Sequence, residues 1–210
     1  MTMNRHLFIN CPFSKDYQHL FYALVFTTLY CGFKPRCALE TDDGSENRFD
    51  KICDLIKQCR LGVHDISKTE LDRISKLPRF NMPLELGLFL AAKKFGNAEQ
   101  KQKKCLIFDR EKYRYQQFMS DISGQDIHAH GGNVTQLIKA LASWLRREFQ
   151  DNRIAGGAAV LRNFEAFQIE LPSICRGLQL RRDEVSFDDF RKIAELWIAN
   201  KVKPISSKRS

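Results

Sequence analysis

The 210-residue sequence lacks several patterns that identify common classes of protein. No apolar run approaches the roughly 18 residues that are needed to span a bilayer, and the longest, residues 20–29, is interrupted by Thr27 and Thr28. The first residues lead directly into an apolar segment, without the pattern of a signal peptide. These absences predict a cytoplasmic protein that is not a membrane protein.

Cysteine motifs are also missing. The seven cysteines include no CxxC pair, so neither a zinc site of the usual spacing nor a disulfide framework is predicted. Most cysteines lie in apolar segments, where reduced, buried thiols are expected. Cys11 differs because it ends the first apolar segment, which leaves a nucleophilic role open beside the structural one. Aspartates are too few in any one loop to predict a metal site.

Motifs for phosphate binding and hydrolysis are absent as well. Neither GxGxxG nor GxxxxGK[ST] follows the first apolar segment, which disfavours a Rossmann cofactor site and a P-loop. The HExxH and GxSxG motifs of zinc peptidases and serine hydrolases do not occur either. The sequence therefore predicts no cofactor, and any chemistry must come from individual side chains.

What the sequence does have is a net charge of +9. This excess favours an anionic partner, which is a nucleotide, a nucleic acid or an acidic protein surface. The basic residues form short, scattered clusters that are more typical of solvated surfaces. The best support for nucleic acid is segment 110–115, where Tyr113 and Tyr115 could stack on bases. Such clusters are common on ordinary surfaces, so a nucleic-acid partner is disfavoured.

Apolar and amphipathic segments alternate along the first 150 residues. Strands are predicted at residues 6–11, 35–39, 61–66, 104–108 and 124–128. Helices are predicted at residues 16–30, 48–59, 82–95, 113–122 and 134–149. This alternation indicates a parallel sheet with helices on both faces. We expect a flavodoxin-like, doubly wound α/β domain with a five-stranded sheet of order 2-1-3-4-5.

Residues 151–210 have no strand pattern. Two helices are predicted there, at residues 160–170 and 187–199, after a hinge at residues 155–158. We expect a helical appendage to the domain of residues 1–150. It could pack on the sheet domain, form a homo-oligomer contact or dock a protein partner.

Glu85 is the leading catalytic candidate. It lies in the segment NMPLELG, where Asn81 is a suitable N-cap and Pro83 suits the first helical turn. The rest of this helix is apolar, so an acid within it is expected to have a partner, a cleft or a catalytic task. The helix dipole alone also favours an acid in a first turn, and that structural explanation stays open.

Further polar groups follow the predicted strands, whose carboxyl ends hold the ligand in a doubly wound sheet. Asp65 is a second catalytic candidate, which could assist proton transfer or bind ribose hydroxyls. His64 is either an orienting donor or, more commonly, a structural hydrogen-bond partner. The candidate substrate contacts are Asn10, Pro12, Phe13, Arg36, His64, Asn81 and Asp126.

A lone carboxylate with such helpers suits cleavage at an anomeric carbon. Departure of a base or of nicotinamide from a ribose creates an oxocarbenium-like cation. A carboxylate can stabilise that cation or trap it covalently, as in retaining glycoside chemistry.

Three short motifs resemble those of the nucleoside 2-deoxyribosyltransferase-like and TIR-like superfamily. They are FINCPF and HDIS, at the ends of the first and third strands, and NMPLELG around Glu85. The strings LPRFNMPLELG and SDISGQDIHAHGG are similar to those of a bacterial branch of that superfamily. Over about residues 5–150, the resemblance implies a flavodoxin-like domain with Glu85 as the catalytic glutamate. It also implies a nucleoside site lined by Asn10, Pro12, Phe13 and Asp65.

The chain departs from the transferases where RFNMP replaces their DxGT motif. This difference argues against deoxyribosyl transfer and leaves ribosyl hydrolysis open. The resemblance thus implies an N-glycosidase or ribosyltransferase that acts on a nucleotide, a nucleoside or NAD, in a bacterial defence effector. A non-catalytic nucleotide-binding sensor or adaptor is the alternative.

Overall fold

The computed structural model describes residues 5–40, 43–71 and 76–201. The strands are β1 (His6–Asn10), β2 (Lys34–Arg36), β3 (Leu61–Asp65), β4 (Lys104–Asp109) and β5 (Ile127–Ala129). The helices are α1 (Gln18–Tyr30), α2 (Arg48–Gln58), α3 (Asn81–Phe95), α4 (Val134–Phe149), α5 (Gly157–Gly177) and α6 (Phe187–Lys201). The strands form one parallel sheet of order β2-β1-β3-β4-β5. The predicted flavodoxin-like class and strand order are confirmed.

The prediction of a helix at residues 113–122 is wrong. Two short 3₁₀ turns, Arg114–Gln117 and Ser120–Ile122, stand in its place. Tyr113 has a φ of 62°, a left-handed conformation that does not start an α-helix. The fifth strand also begins later than predicted, at Ile127.

Helix α1 is buried along most of its length, and every residue from Leu20 to Thr28 is inaccessible to solvent or nearly so. A helix that is apolar all round must be covered on all sides. Here α4 packs beside it and the two C-terminal helices pack over it. The Tyr22 ring stacks on Phe190 of α6, with centroids 4.0 Å apart, and Phe26 stacks on Phe167 of α5.

Of the roles left open for the C-terminal segment, the structure shows packing on the sheet domain. Both C-terminal helices share one hydrophobic core with α1 and α4. The segment predicted as a hinge is itself closely packed, because Gly157 begins α5 and a Cβ there would lie 2.7 Å from the Cα of Lys139. Helix α5 also continues through Pro172, past its predicted end, since Leu171 and Cys175 extend its buried face.

Helices α2 and α3 cover the opposite face of the sheet, around Phe8, Ile56 and Phe89. The N-cap predicted for α3 is wrong. A hydrogen bond from Leu84 N to Phe80 O starts the helix one residue earlier, so Asn81 is its first residue and Phe80 holds the cap position. Glu85 therefore lies beyond the first turn, where the helix dipole explains an acid less well.

None of the helices in the described part of the chain combines the length and the apolar composition that a membrane span requires.

Candidate active site

Glu85 lines a groove between α2 and α3. The groove has a volume of about 350 Å³, and it is lined by Asn47, Arg48, Phe49, Ile52, Asn81, Leu84, Glu85 and Leu88. We call it the Glu85 groove. Only 9% of the Glu85 surface is exposed, whereas Asn81 and Arg48 are exposed. The structure thus brings two predicted site residues, Glu85 and Asn81, to one concave surface.

The surroundings of Glu85 make its carboxyl group unusually hard to ionise. Burial raises its pKa to about 7, although the positive charge of Arg48 acts to lower it. Within the described part of the chain, no side chain or backbone group forms a hydrogen bond or ion pair with this carboxylate. A titratable group near neutrality, with free oxygen atoms and an open groove beside it, is a candidate for catalysis.

Glu85 also lies close to the carboxyl ends of β1 and β2. Its charge contributes to raising the pKa of Cys11, at the end of β1, and of Cys37, just after β2. Burial is the larger cause in both cases, and it raises the pKa of Cys11 well above its ordinary value. Cys11 is therefore a buried thiol, which argues against the nucleophilic role that the sequence left open.

A second hollow, of about 460 Å³, adjoins the first. We call it the aromatic cavity. It is formed by Phe13 after β1, by Leu39 after β2, by the start of α1 and by residues 185–187 at the start of α6. Arg48 lines both hollows, so the Glu85 groove and the aromatic cavity meet at its side chain.

The structure does not bring Asp65 into either hollow. Its side chain is fully buried at the end of β3. Oδ2 accepts a hydrogen bond from the Tyr17 hydroxyl, and Oδ1 accepts one from Ser67 N at 2.8 Å. The His130 Nε2 atom lies 3.0 Å from Oδ2. These contacts use the Asp65 carboxylate to join three segments inside the protein.

Asn10 and His64 form a second buried pair. The Asn10 amide nitrogen lies 3.0 Å from His64 Nδ1 and donates to the Met82 carbonyl at 2.8 Å. The His64 ring packs edge-on against Phe8 and Phe89. Burial lowers the pKa of His64 to about 3, so the imidazole is neutral. The structural interpretation of His64 is the one supported, and Asn10 fixes the start of the helix that carries Glu85.

The remaining predicted contacts lie in different places. Phe13 is 39% exposed in the aromatic cavity, whereas Pro12 beside it is buried. Arg36 lines neither hollow, because Glu40 accepts a hydrogen bond from its Nε at 2.7 Å. Asp126 is exposed just before β5, at the amino end of that strand. Its predicted place at the carboxyl edge of the sheet is wrong, because the strand begins after it.

The cluster at residues 110–115, which was the best support for the disfavoured nucleic-acid partner, offers only one of its two tyrosines to a base. Tyr115 is buried, and its hydroxyl donates to the Ser123 carbonyl at 3.2 Å. Arg114 is paired with Asp109. Only Tyr113 presents its ring to solvent, so two stacked bases have no platform here.

Sequence reasoning missed Arg48 and Lys15. Arg48 follows Asn47, whose Oδ1 accepts a hydrogen bond from Phe49 N at 2.8 Å and caps α2. An Asn before an amphipathic segment indicates a helix start. This signal could have placed Arg48 at the carboxyl edge of the sheet, where a ligand is expected. Lys15 carried no such signal. Among the described residues, no group of three or more His, Cys, Asp or Glu side chains could hold a metal ion.

Comparison of the chain with protein-family models, with curated proteins and with solved structures gives no match.

Proposed function

We propose that this protein cleaves the N-glycosidic bond of a nucleotide, a nucleoside or NAD, with Glu85 as the group that meets the ribosyl cation. The observation that supports this most is the state of the Glu85 carboxylate. It is nearly buried, borders an open groove and has no partner among the described residues. A structural acid in an apolar helix is normally paired, because an unpaired buried charge is costly.

The proposed reaction needs few groups. The bond between the anomeric carbon and the base nitrogen breaks, and its electron pair leaves with the base. Positive charge then develops on the sugar, and ionised Glu85 either stabilises that charge or forms a glycosyl ester. Water supplies hydroxide to the anomeric carbon. Its remaining proton goes to the nitrogen of the departing base of a nucleoside or nucleotide, or to solvent when neutral nicotinamide leaves NAD. The products are a free base and a ribosyl compound.

Low polarity strengthens the proposed role of Glu85. The groove walls beside it are Phe49, Ile52, Leu84 and Leu88. An ionised carboxylate attracts a nearby cation more strongly in such surroundings than in water. The cost is that the carboxylate must first ionise, for which its pKa of about 7 requires neutral to alkaline conditions.

A non-catalytic nucleotide sensor is the second candidate. The observation that favours it is the contribution of residues 185–187 to the aromatic cavity. A ligand bound there would contact both the sheet domain and α6, and it could alter their packing without any reaction.

Incubation of the protein with NAD, nucleosides and nucleoside monophosphates, followed by chromatography of the free bases, tests the proposal. We expect release of a base from at least one compound. Tight binding in calorimetry without release would favour the sensor. If the protein neither released a base nor bound any of these compounds, both functions would be contradicted.

A further inference from the structure

We propose that the aromatic cavity binds a nucleoside phosphate, with its phosphate at Lys15 and Arg48 and its base against Phe13, and that residues at the start of α6 form part of this site. The inference rests on the proposed function, whose substrate class it narrows to phosphorylated nucleosides. It assigns the recognition of the ligand to groups other than Glu85.

The charges of the cavity support an anionic ligand. Its lining includes two basic side chains, Lys15 and Arg48, and no acidic one. Both cations are exposed, and neither forms an ion pair with a described residue. A hydrogen bond from Arg181 is the main cause of the lowered pKa of Asp183, and the charge of Lys15 is a minor one. Two cations therefore line one concave surface whose lining contains no acidic side chain, and a phosphate would complement their charge.

The aromatic side chains support a planar group on the same ligand. Phe13 is 39% exposed, and it is held edge-on against Phe21 with ring centroids 5.3 Å apart. Phe21 in turn lies against Phe187 of α6 at 5.9 Å. A partly exposed ring that is fixed from behind is a suitable surface for a base, because base–aromatic stacking tolerates any base. The volume of about 460 Å³ lies within the range of small-molecule sites.

The position of Arg48 sets the orientation of the bound ligand. Because this side chain borders both hollows, a phosphate held by it lies next to the Glu85 groove. A sugar attached to that phosphate can then approach Glu85. This arrangement requires the phosphate and the sugar to be adjacent, as they are in a nucleoside phosphate.

Hydrogen bonds hold the start of α6 in place where it lines this site. Asp189 N donates to Ser186 Oγ at 3.1 Å, and Ser186 N donates to Asp189 Oδ2 at 3.1 Å. This reciprocal cap fixes residues 185–187 where they line the cavity. A bound ligand should therefore slow hydrogen exchange at the start of α6 as well as in the loop after β1.

Calorimetry on the full-length chain tests the inference. We use the Glu85→Gln background, so that the ligand is not consumed, and titrate the four common nucleoside monophosphates, their nucleosides and inorganic phosphate. We expect at least one monophosphate to bind about tenfold or more tightly than its nucleoside and than phosphate alone. Equal affinity of each monophosphate and its nucleoside, or no binding by any of them, would overturn the inference.

Three variants assign the phosphate contact. Lys15→Gln and Arg48→Gln should each weaken binding of the monophosphate about tenfold and leave the nucleoside unaffected. Lys94→Gln, at an exposed lysine of α3 that lines neither hollow, is the matched control and should change nothing. Unchanged affinity in both cavity variants would exclude these cations as the phosphate site.

Failure of the binding inference can be distinguished from failure of the proposed cleavage reaction. Base release by the wild-type protein without any preference for phosphate would refute this inference and keep the proposed function. The expected binding pattern without base release would refute the reaction and keep the site.

Discussion

The Tyr17 hydroxyl donates a hydrogen bond to Asp65 Oδ2 inside the protein, where Tyr17 is 3% exposed and Asp65 is fully buried. This contact joins the start of α1 to the end of β3. Burial and the Asp65 charge both raise the pKa of Tyr17 well above its ordinary value, so the hydroxyl remains a donor. The carboxylate that the sequence suggested as a second catalytic group is thus held by the fold.

Replacing either partner should affect stability more than activity. We expect Tyr17→Phe and Asp65→Asn each to lower the free energy of unfolding by about 1–3 kcal/mol, because a buried polar group loses its partner. Urea unfolding measures this change, and base release by the folded variant should remain. A folded Asp65→Asn protein without base release would show that Asp65 has a catalytic role.

The raised pKa of Glu85 should appear as a pH dependence of stability. The folded protein keeps this proton up to a pH of about 7, whereas the unfolded chain releases it near the ordinary value of 4.5. Because the folded state binds more protons between these values, stability should fall as the pH rises from about 4.5 to about 7. At about 1.4 kcal/mol for each pKa unit, the loss approaches about 3 kcal/mol.

The Glu85→Gln variant isolates this effect. It cannot ionise at position 85, so its stability curve should lack the decline that is present in the wild-type protein. Urea unfolding at pH 5 and at pH 8 provides the comparison. Identical pH dependence in the two proteins would mean that the Glu85 carboxylate is not held in a buried environment.

The fold was largely predictable because the apolar pattern of each segment indicates which of its residues are buried. Five parallel strands and their order followed from the alternation of segments. The prediction that Asn81 caps α3 was wrong because the backbone carbonyl of Phe80 accepts the first hydrogen bond of the helix. Backbone contacts of this kind leave no sequence signal.

The candidate site was predictable only in part. Glu85 was found because an acid in an apolar helix is conspicuous, and the structure places it beside a groove. Asp65 and Arg36 fit the same pattern of polar groups at strand ends, but Tyr17 and Glu40 occupy their side chains. Such pairing depends on segments that meet only in the folded protein, which also explains why Lys15 was missed.

Gly62 in β3 allows α3 to lie close to the sheet. A Cβ at this position would lie 2.8 Å from the Phe89 ring and 2.7 Å from His64 Nε2. We expect Gly62→Ala to lower the free energy of unfolding by about 1–3 kcal/mol, as overpacking does in other cores. Gly87→Ala is the matched control on α3, since a Cβ there meets no atom within 4 Å. That variant should be neutral or slightly more stable, by up to about 1 kcal/mol.

Removal of the C-terminal helices should unfold the sheet domain or make it aggregate. A chain that ends at residue 150 would expose the rings of Tyr22 and Phe26, which α5 and α6 now cover. We expect this fragment to be insoluble, or to lack the cooperative thermal transition of the full-length protein. A soluble monomer with an unchanged melting temperature would show that residues 1–150 fold independently.

The most direct test of the account is the rate of base release by the Glu85→Gln protein at pH 8, compared with that of the wild-type protein on the same substrate. We predict a loss of about 100-fold or more, since a charged group that faces the developing cation is removed. The melting temperature should be unchanged or higher, because a buried charge is removed as well. A folded Glu85→Gln protein that releases base at the wild-type rate would contradict the account.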